Sequence, residues 1–238
     1  VLIYEQTCAA EKRRRRKRGT MADPAKRMFI APEVCEGCGD CSVQSTCVSI
    51  VPRETELGTK RAIDQSSCNK DYSCNDGFCP SFVTVKGAGP RKPAAVALSE
   101  DLFADMPLPP VRSGASSMMI AGIGGTGVIT VGAVLAMAAH VEGRAASAFD
   151  MTGLAQKNGA VFSHLRFADD PAQLHSQRLG EGEADLLLAF DLVAALSAEA
   201  VRSLQPGRTR ALANVSVVPT VAFQFQRDFR LEPEILLA

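Results

Sequence analysis

The sequence predicts a small α+β segment cross-linked by metal through cysteine, followed by a larger α/β segment with a mostly parallel sheet. Three observations predict it. Seven of the eight Cys lie between Met28 and Lys86, in a stretch punctuated by Gly and Pro. A glycine-rich turn, Gly122–Gly127, separates an apolar strand from an apolar helix. Beyond Ala115, short apolar strands alternate with helical segments, the pattern of a parallel sheet with helices on its faces.

Residues 1–27 read as the end of an upstream domain and a basic connector. Lys12–Arg18 is an unbroken run of seven basic residues, which leaves 19 Lys and Arg against 26 Asp and Glu elsewhere. The body is therefore net acidic, without the surface excess of a nucleic-acid binder. The chain begins with Val1 and shows no charged leader before an apolar stretch, so it is expected to be a piece of a longer cytoplasmic polypeptide. Residues 28–86 are too few to be stable on apolar burial alone, which makes metal cross-links physically expected. Within them Thr55–Ile63 reads as a hairpin turning near Gly58. Lys60, Arg61 and Lys70 either offset thiolate charge or form a solvated polar face.

Residues 87–114 hold five Pro and read as a semi-rigid linker with a short helix near Ala94–Met106. Residues 115–238 read as a Rossmann-like domain, incomplete at its end. Its strands are expected at Met118–Ala121, Ala145–Phe149, Ala160–Phe167, Asp185–Phe190 and Arg210–Val215. Its helices are expected up to about His140 and at Ser197–Leu204. Ser116–Val141 carries no Asp, Glu, Lys or Arg and is long enough to span a bilayer. Five Gly between Gly122 and Gly132 favour a strand–turn–helix over a membrane helix. No internal repeat is visible.

The strongest chemical signal is Cys35-Glu36-Gly37-Cys38-Gly39-Asp40-Cys41. Three Cys at this spacing on a Gly-rich loop let three thiolates converge on one iron–sulfur cluster. In bacterial ferredoxins a distant Cys followed by Pro completes such a site, and Cys79-Pro80 has that form. The first cluster is assigned to Cys35, Cys38, Cys41 and Cys79. Crossed ligation then gives Cys47 to the second cluster, with Cys68 and Cys74. The middle of that second run is Asp71 rather than Cys. This leaves open a four-iron cluster with Asp71 bound, a three-iron cluster on three Cys, or no second cluster. Zinc sites and disulfides are the rivals, but no His lies in the segment and seven Cys is an odd number. Cys8 stands alone as an ordinary thiol.

These residues resemble a known family. VCEGCGDC, QSSCNKDYSC and GFCPSFVTV resemble the ferredoxin-like iron–sulfur segment of indolepyruvate ferredoxin oxidoreductases. TCAAEKRRRRKRG looks like the end of the thiamine-diphosphate domain that precedes it in the fused bacterial form. GIGGTGVITVGAVLAMAAHVEG and DMTGLAQKNGAVFSHLR resemble the gamma segment of the pyruvate/2-oxo acid ferredoxin oxidoreductase superfamily. The resemblance implies oxidative decarboxylation of an aryl 2-oxo acid such as indolepyruvate. Electrons would pass through iron–sulfur clusters to ferredoxin, and the acyl group would leave on coenzyme A. It also implies an upstream domain holding thiamine diphosphate, a homo-oligomer, and no membrane or nucleic-acid partner. No thiamine-diphosphate motif occurs in this chain, which alone is expected to be inactive.

Gly122, Gly124 and Gly127 fit G-x-G-x-x-G between a strand and a helix, and Asp150 ends the next strand. The pattern is compatible with a dinucleotide site, with another phosphate at a helix N-terminus, or with a tight structural turn. The family implies no nicotinamide site there. The following polar loop offers Gln156 and Lys157 as contacts to substrate or to the neighbouring domain. Phe162, His164 and Arg166 share one strand face, expected to be an interface or solvated. The rival readings are a ferredoxin module fused to a dinucleotide-binding domain, without oxo acid chemistry, and a zinc-stabilised interaction module.

Overall fold

Two antiparallel strand pairs frame the cysteines. The structure, a computed structural model, describes residues 2–3, 5, 7–89, 104–105, 107, 113–153, 159–218, 223, 226 and 232–237. It comprises two units, Val1–Leu98 with Pro219–Arg230, and Ser99–Val218 with Leu231–Ala238. In the first, the basic run forms helix α1 (Ala9–Lys17), where Glu11 pairs with Arg14 and Arg15 one turn on. Strand β1 (Lys26–Ile30) pairs antiparallel with β4 (Phe82–Lys86). Strand alternation buries Met28 and Ile30 and turns Phe29 outward. Between them lie α2 (Asp40–Ser45) and the hairpin β2 (Ile50–Arg53) with β3 (Lys60–Ile63). The turn falls at Gly58, with φ +86°, as the sequence suggests, but the first strand of the hairpin starts earlier than Thr55. Pro52 is tolerated because each strand of a two-stranded pair is an edge. Among the described residues, Met28, Ile30, Ile50 and Phe223 are the large apolar side chains this unit buries. That core is small for an independently stable fold.

In the second unit, β5 (Ser116–Ile123) is the central strand of a five-stranded sheet. Helix α3 (Val128–Val141) follows it, then β6 (Ala145–Thr152), β7 (Ala160–Ala168) and β8 (Leu186–Ala189). Short helices α4 (Leu192–Ala195) and α5 (Ala198–Arg202) precede β9 (Arg210–Ala213). A last short helix, α6, spans Pro233–Leu237. The strand order is β6-β7-β5-β8-β9. Met119 and Ala121 of β5 enter a core with Phe162, Leu179, Leu187 and Ala200. Ile120 points to the opposite face, with Val128, Val161 and Leu165. A strand buried on both faces explains why MMIA carries no polar alternation.

The sheet is mixed, which corrects the mostly parallel, Rossmann-like expectation. β5 is parallel to β8, and β8 to β9, but β7 runs antiparallel to both β5 and β6. Only residues 153–159 join β6 to β7, too few for the crossover that a parallel pair needs. Helix α3 is 14 residues long, and no helix among the described residues is long and apolar enough to cross a membrane. The expected linker helix near Ala94–Met106 falls largely outside the described residues.

Candidate metal centre

The first cysteine loop needs glycine at two places. Gly37 has φ +73°, and a Cβ there would lie 2.6 Å from the Thr59 carbonyl oxygen. Gly39 has φ +82°, and its Cβ would lie 3.2 Å from Nη2 of Arg61. The β2–β3 hairpin therefore packs directly on the loop backbone. The Gly37 N–H donates to Cys35 Sγ at 3.4 Å, and Gly39 starts α2. Cys35, Cys38 and Cys41 line a cavity of about 770 Å³ together with Cys79, which enters just before β4. Cys79 Sγ and the buried Ser81 Oγ are 3.1 Å apart, a hydrogen bond that orients the fourth thiol. Burial, then the neighbouring Cys35 and Cys38, push the Cys41 thiol up to about 11, while Arg61 pulls it down.

The second loop repeats the first in backbone conformation. Lys70 N–H donates to Cys68 Sγ at 3.4 Å, as Gly37 does to Cys35. Lys70 and Tyr72 have φ +55° and +65°, matching the signs at Gly37 and Gly39. In this alignment Cys68 and Cys74 correspond to Cys35 and Cys41, and Asp71 stands where Cys38 does. Asp71 is exposed and accepts hydrogen bonds from Ser73 N and Oγ at 3.4 and 3.2 Å, so it caps its own turn.

Positive φ in residues with a Cβ is strained, and the surroundings hold it in place. The Lys70 ammonium pairs with Asp23, which also faces Arg27 at 3.7 Å and Arg16 at 4.0 Å. Tyr72 Oη donates to the Lys26 carbonyl at 2.9 Å, and Lys26 Nζ sits 4.5 Å above the ring. Arg16 Nη1 donates to the Asn69 carbonyl at 2.6 Å, so the basic helix reaches this loop. Burial, then Cys47, Cys68 and Asp71, push the Cys74 thiol up to about 12. Cys74 also lines the first cavity, so the two thiol groups share a wall.

Cys35, Cys38, Cys41 and Cys79 line one cavity, and Cys47, Cys68 and Asp71 lie near enough to Cys74 to act on its thiol. Among the described residues, no three or more His, Cys, Asp or Glu are gathered to hold a metal ion. Sequence reasoning missed the backbone repeat and the burial of Arg61, which is 2% exposed. It also missed Lys70 as an ion-pair partner of Asp23.

The glycine turn is accounted for by packing. A Cβ on Gly122 would lie 2.7 Å from Val128 Cγ2 and 2.8 Å from Thr126 Oγ1, and Gly127 starts α3 with φ +90°. Gly124 N–H donates to the Gly159 carbonyl at 2.8 Å. Asp150 lies on β6, and β7 separates that strand from β5, so this acid does not stand on a parallel strand next to the glycine turn as it would in a dinucleotide fold. Gln156 and Lys157 lie outside the described residues. His164 is fully buried, which corrects the interface or solvated reading of its strand face. Its Nδ1 accepts from Leu179 N–H at 3.2 Å, and Glu199 approaches its Nε2 at 3.6 Å.

Residues 117–232 match the family described as pyruvate ferredoxin/flavodoxin oxidoreductase. The chain carries a domain of that family. Its pyruvate ferredoxin/flavodoxin oxidoreductase domain contains the whole mixed sheet apart from the first residue of β5. The chain is also similar to the indolepyruvate oxidoreductase subunit IorB of Pyrococcus horikoshii, 34% identical over 80 residues, which cover 34% of this chain and 38% of that protein. The same subunit of Methanothermobacter thermautotrophicus is 29% identical over 105 residues, 43% of this chain and 49% of that protein. The chain thus spans less than half the length of these relatives. Among solved structures, pyruvate oxidoreductase subunit PORC of Thermotoga maritima aligns at 20% identity and a TM-score of 0.33, covering 47% of this chain and 55% of that one. The gamma subunit of a keto/oxoacid ferredoxin oxidoreductase from Geobacter sulfurreducens aligns at 24% identity and a TM-score of 0.30, covering 42% and 61%.

Proposed function

We propose that the chain is the electron-transfer and gamma part of a ferredoxin-dependent 2-oxo acid oxidoreductase of the indolepyruvate type. The observation that carries this reading is the doubled cysteine loop, present in one chain with a pyruvate ferredoxin/flavodoxin oxidoreductase domain. Cys35, Cys38, Cys41 and Cys79 would hold one iron–sulfur cluster. Cys47, Cys68 and Cys74 would hold a second, with Asp71 at its weakest corner. The first donor set fits such a group, since Cys35, Cys38, Cys41 and Cys79 line one cavity, and the Gly37 and Lys70 amides approach the sulfurs of Cys35 and Cys68. When bound, such clusters supply one-electron carriers. The chain would position the thiols and offer the Gly37 and Lys70 N–H groups to the sulfurs of Cys35 and Cys68.

In this reading thiamine diphosphate sits on a polypeptide upstream of α1, coenzyme A is co-substrate, and ferredoxin is the acceptor. The assembly is a cytoplasmic homo-oligomer. Gln156 and Lys157 are the candidate contacts to substrate or to that upstream part, and the Gly122–Gly127 turn serves the fold rather than a nicotinamide cofactor. The test is anaerobic reconstitution of the chain, followed by iron and sulfide counting and paramagnetic resonance. Near eight irons per chain is expected. A count near four, unchanged in Asp71 variants, removes the second cluster. A count near zero overturns the reading. The loaded chain with thiamine diphosphate and ferredoxin should not turn over indolepyruvate by itself.

A further inference from the structure

Among the described residues Arg61 is the largest fully buried side chain, and it belongs to the wall of the thiol cavity. It lies on β3, opposite Pro52 of β2. Its guanidinium occupies the space that Gly39 leaves open, with Nη2 only 3.2 Å from where a Cβ on Gly39 would stand. On another side the Phe223 ring covers it, 4.5 Å from Cζ to the ring centroid, and Phe223 is itself 2% exposed. A guanidinium under an aromatic face is held by cation–π attraction and kept from bulk water.

We propose that Arg61 sets the reduction potential of the cluster held by Cys35, Cys38, Cys41 and Cys79, as a fixed cation built into its cavity wall. The proposal rests on the assignment of those four Cys as ligands. A thiolate-ligated cluster is anionic, and taking up one electron adds a further negative charge. A cation in the wall stabilises the reduced form more than the oxidised form, so it raises the potential.

Exposure decides which charges count. Glu36, Asp40 and Asp76 also line the cavity, but all three are exposed and screened by solvent. Lys60 is only partly buried, and neither Lys60 nor Lys70 lines this cavity. Arg61 alone among these is both buried and in the wall of the first cavity. Arginine suits the position because its charge persists at any pH the protein meets.

The test uses the full chain, reconstituted anaerobically and titrated with dithionite, which gives one electron to each cluster, under paramagnetic resonance. In Arg61→Gln the first cluster should become harder to reduce by at least tenfold in equilibrium constant, about 59 mV for a one-electron couple. The second cluster should not move. Arg61→Lys keeps the charge and should stay within threefold of wild type. Phe223→Ala, which opens the cover to water, should shift the first potential in the same direction by less and make it salt-dependent. A first-cluster midpoint unmoved by Arg61→Gln overturns the proposal, as does an equal shift of both clusters. Loss of the first cluster in both Arg61 variants makes the side chain a packing element and also overturns it. A wild-type chain with no first-cluster signal instead refutes the ligand assignment itself.

Discussion

Replacing Gly37 by Ala should unfold the cysteine-bearing unit far more readily than the same change at Gly58. Both glycines have positive φ, +73° and +86°. Placing a Cβ in that region costs about 1–2 kcal/mol at either site. Gly58 has open space around its Cβ position, so nothing is added there. At Gly37 the new methyl would lie 2.6 Å from the Thr59 carbonyl oxygen, a backbone atom that cannot rotate away. Overpacking of this kind costs a further ~1–3 kcal/mol, and the shift would also pull the Gly37 N–H off Cys35 Sγ. The total is roughly 2–5 kcal/mol at Gly37, against about 1–2 at Gly58. The chain has no Trp and two Tyr, one of them Tyr72 inside this unit, so urea unfolding followed by tyrosine fluorescence reports on it. Equal midpoint losses in the two variants would show that the hairpin does not press on the loop.

Asp71→Cys should make the reconstituted second cluster resistant to mild oxidation, and Asp71→Ala should favour a three-iron signal. Iron counting with paramagnetic resonance reads both, and identical behaviour in the two variants would remove Asp71 from the ligand set. Burial holds His164 below its ordinary 6.5, assisted by Arg178, Arg202 and Arg166 and opposed by Glu199. The unfolded chain therefore takes up the proton first. Stability from this group is complete above pH 6.5 and lost as pH falls toward the folded value. His164→Gln should flatten that acid limb in melts followed by circular dichroism, and an unchanged slope would assign it to other groups. Asp23→Asn should cost less than ~1 kcal/mol, because the carboxylate is 45% exposed and screened, and the effect should fade at high salt. A salt-independent loss would point to a packing role instead.

The strands of the second unit were legible because each is an apolar run bounded by turn residues. Met118–Ala121 and Ala160–Phe167 fall inside β5 and β7, and the expected Asp185–Phe190 brackets β8. Their directions were not legible, since periodicity records which face a residue takes and not which way its strand runs. The short 153–159 connection held that information. The spacing of the cysteines pointed to Cys79 as a companion of the first run, and the four thiols line one cavity. The backbone repeat was hidden because only its conformation recurs: Gly37, Cys38 and Gly39 are replaced by Lys70, Asp71 and Tyr72. Arg61 was left open between offsetting thiolate charge and a solvated face for a related reason. A charged residue in a hairpin is ordinarily solvated, and only the open space at Gly39 and the ring of Phe223 bury this one.

The two loops reach one conformation by different means, and the difference bears on how each thiol group depends on the rest of the chain. The first adopts positive φ with glycines, at no steric cost, and is packed by a hairpin next to it in sequence. The second forces Lys70 and Tyr72 into the same region, at about 1–2 kcal/mol each. That strain must be offset by contacts outside the loop. Those contacts come from upstream: Asp23 on Lys70, Lys26 on Tyr72, and Arg16 of α1 on the Asn69 carbonyl. The basic run thus has a structural role that its charge alone did not suggest, since one of its arginines is anchored on the second cysteine loop. The first thiol group is shaped by its own glycines and hairpin, whereas the second is shaped by the segment that leads into the unit. A displacement of α1 would therefore reach Cys68 and Cys74 before it reached Cys35, Cys38 and Cys41.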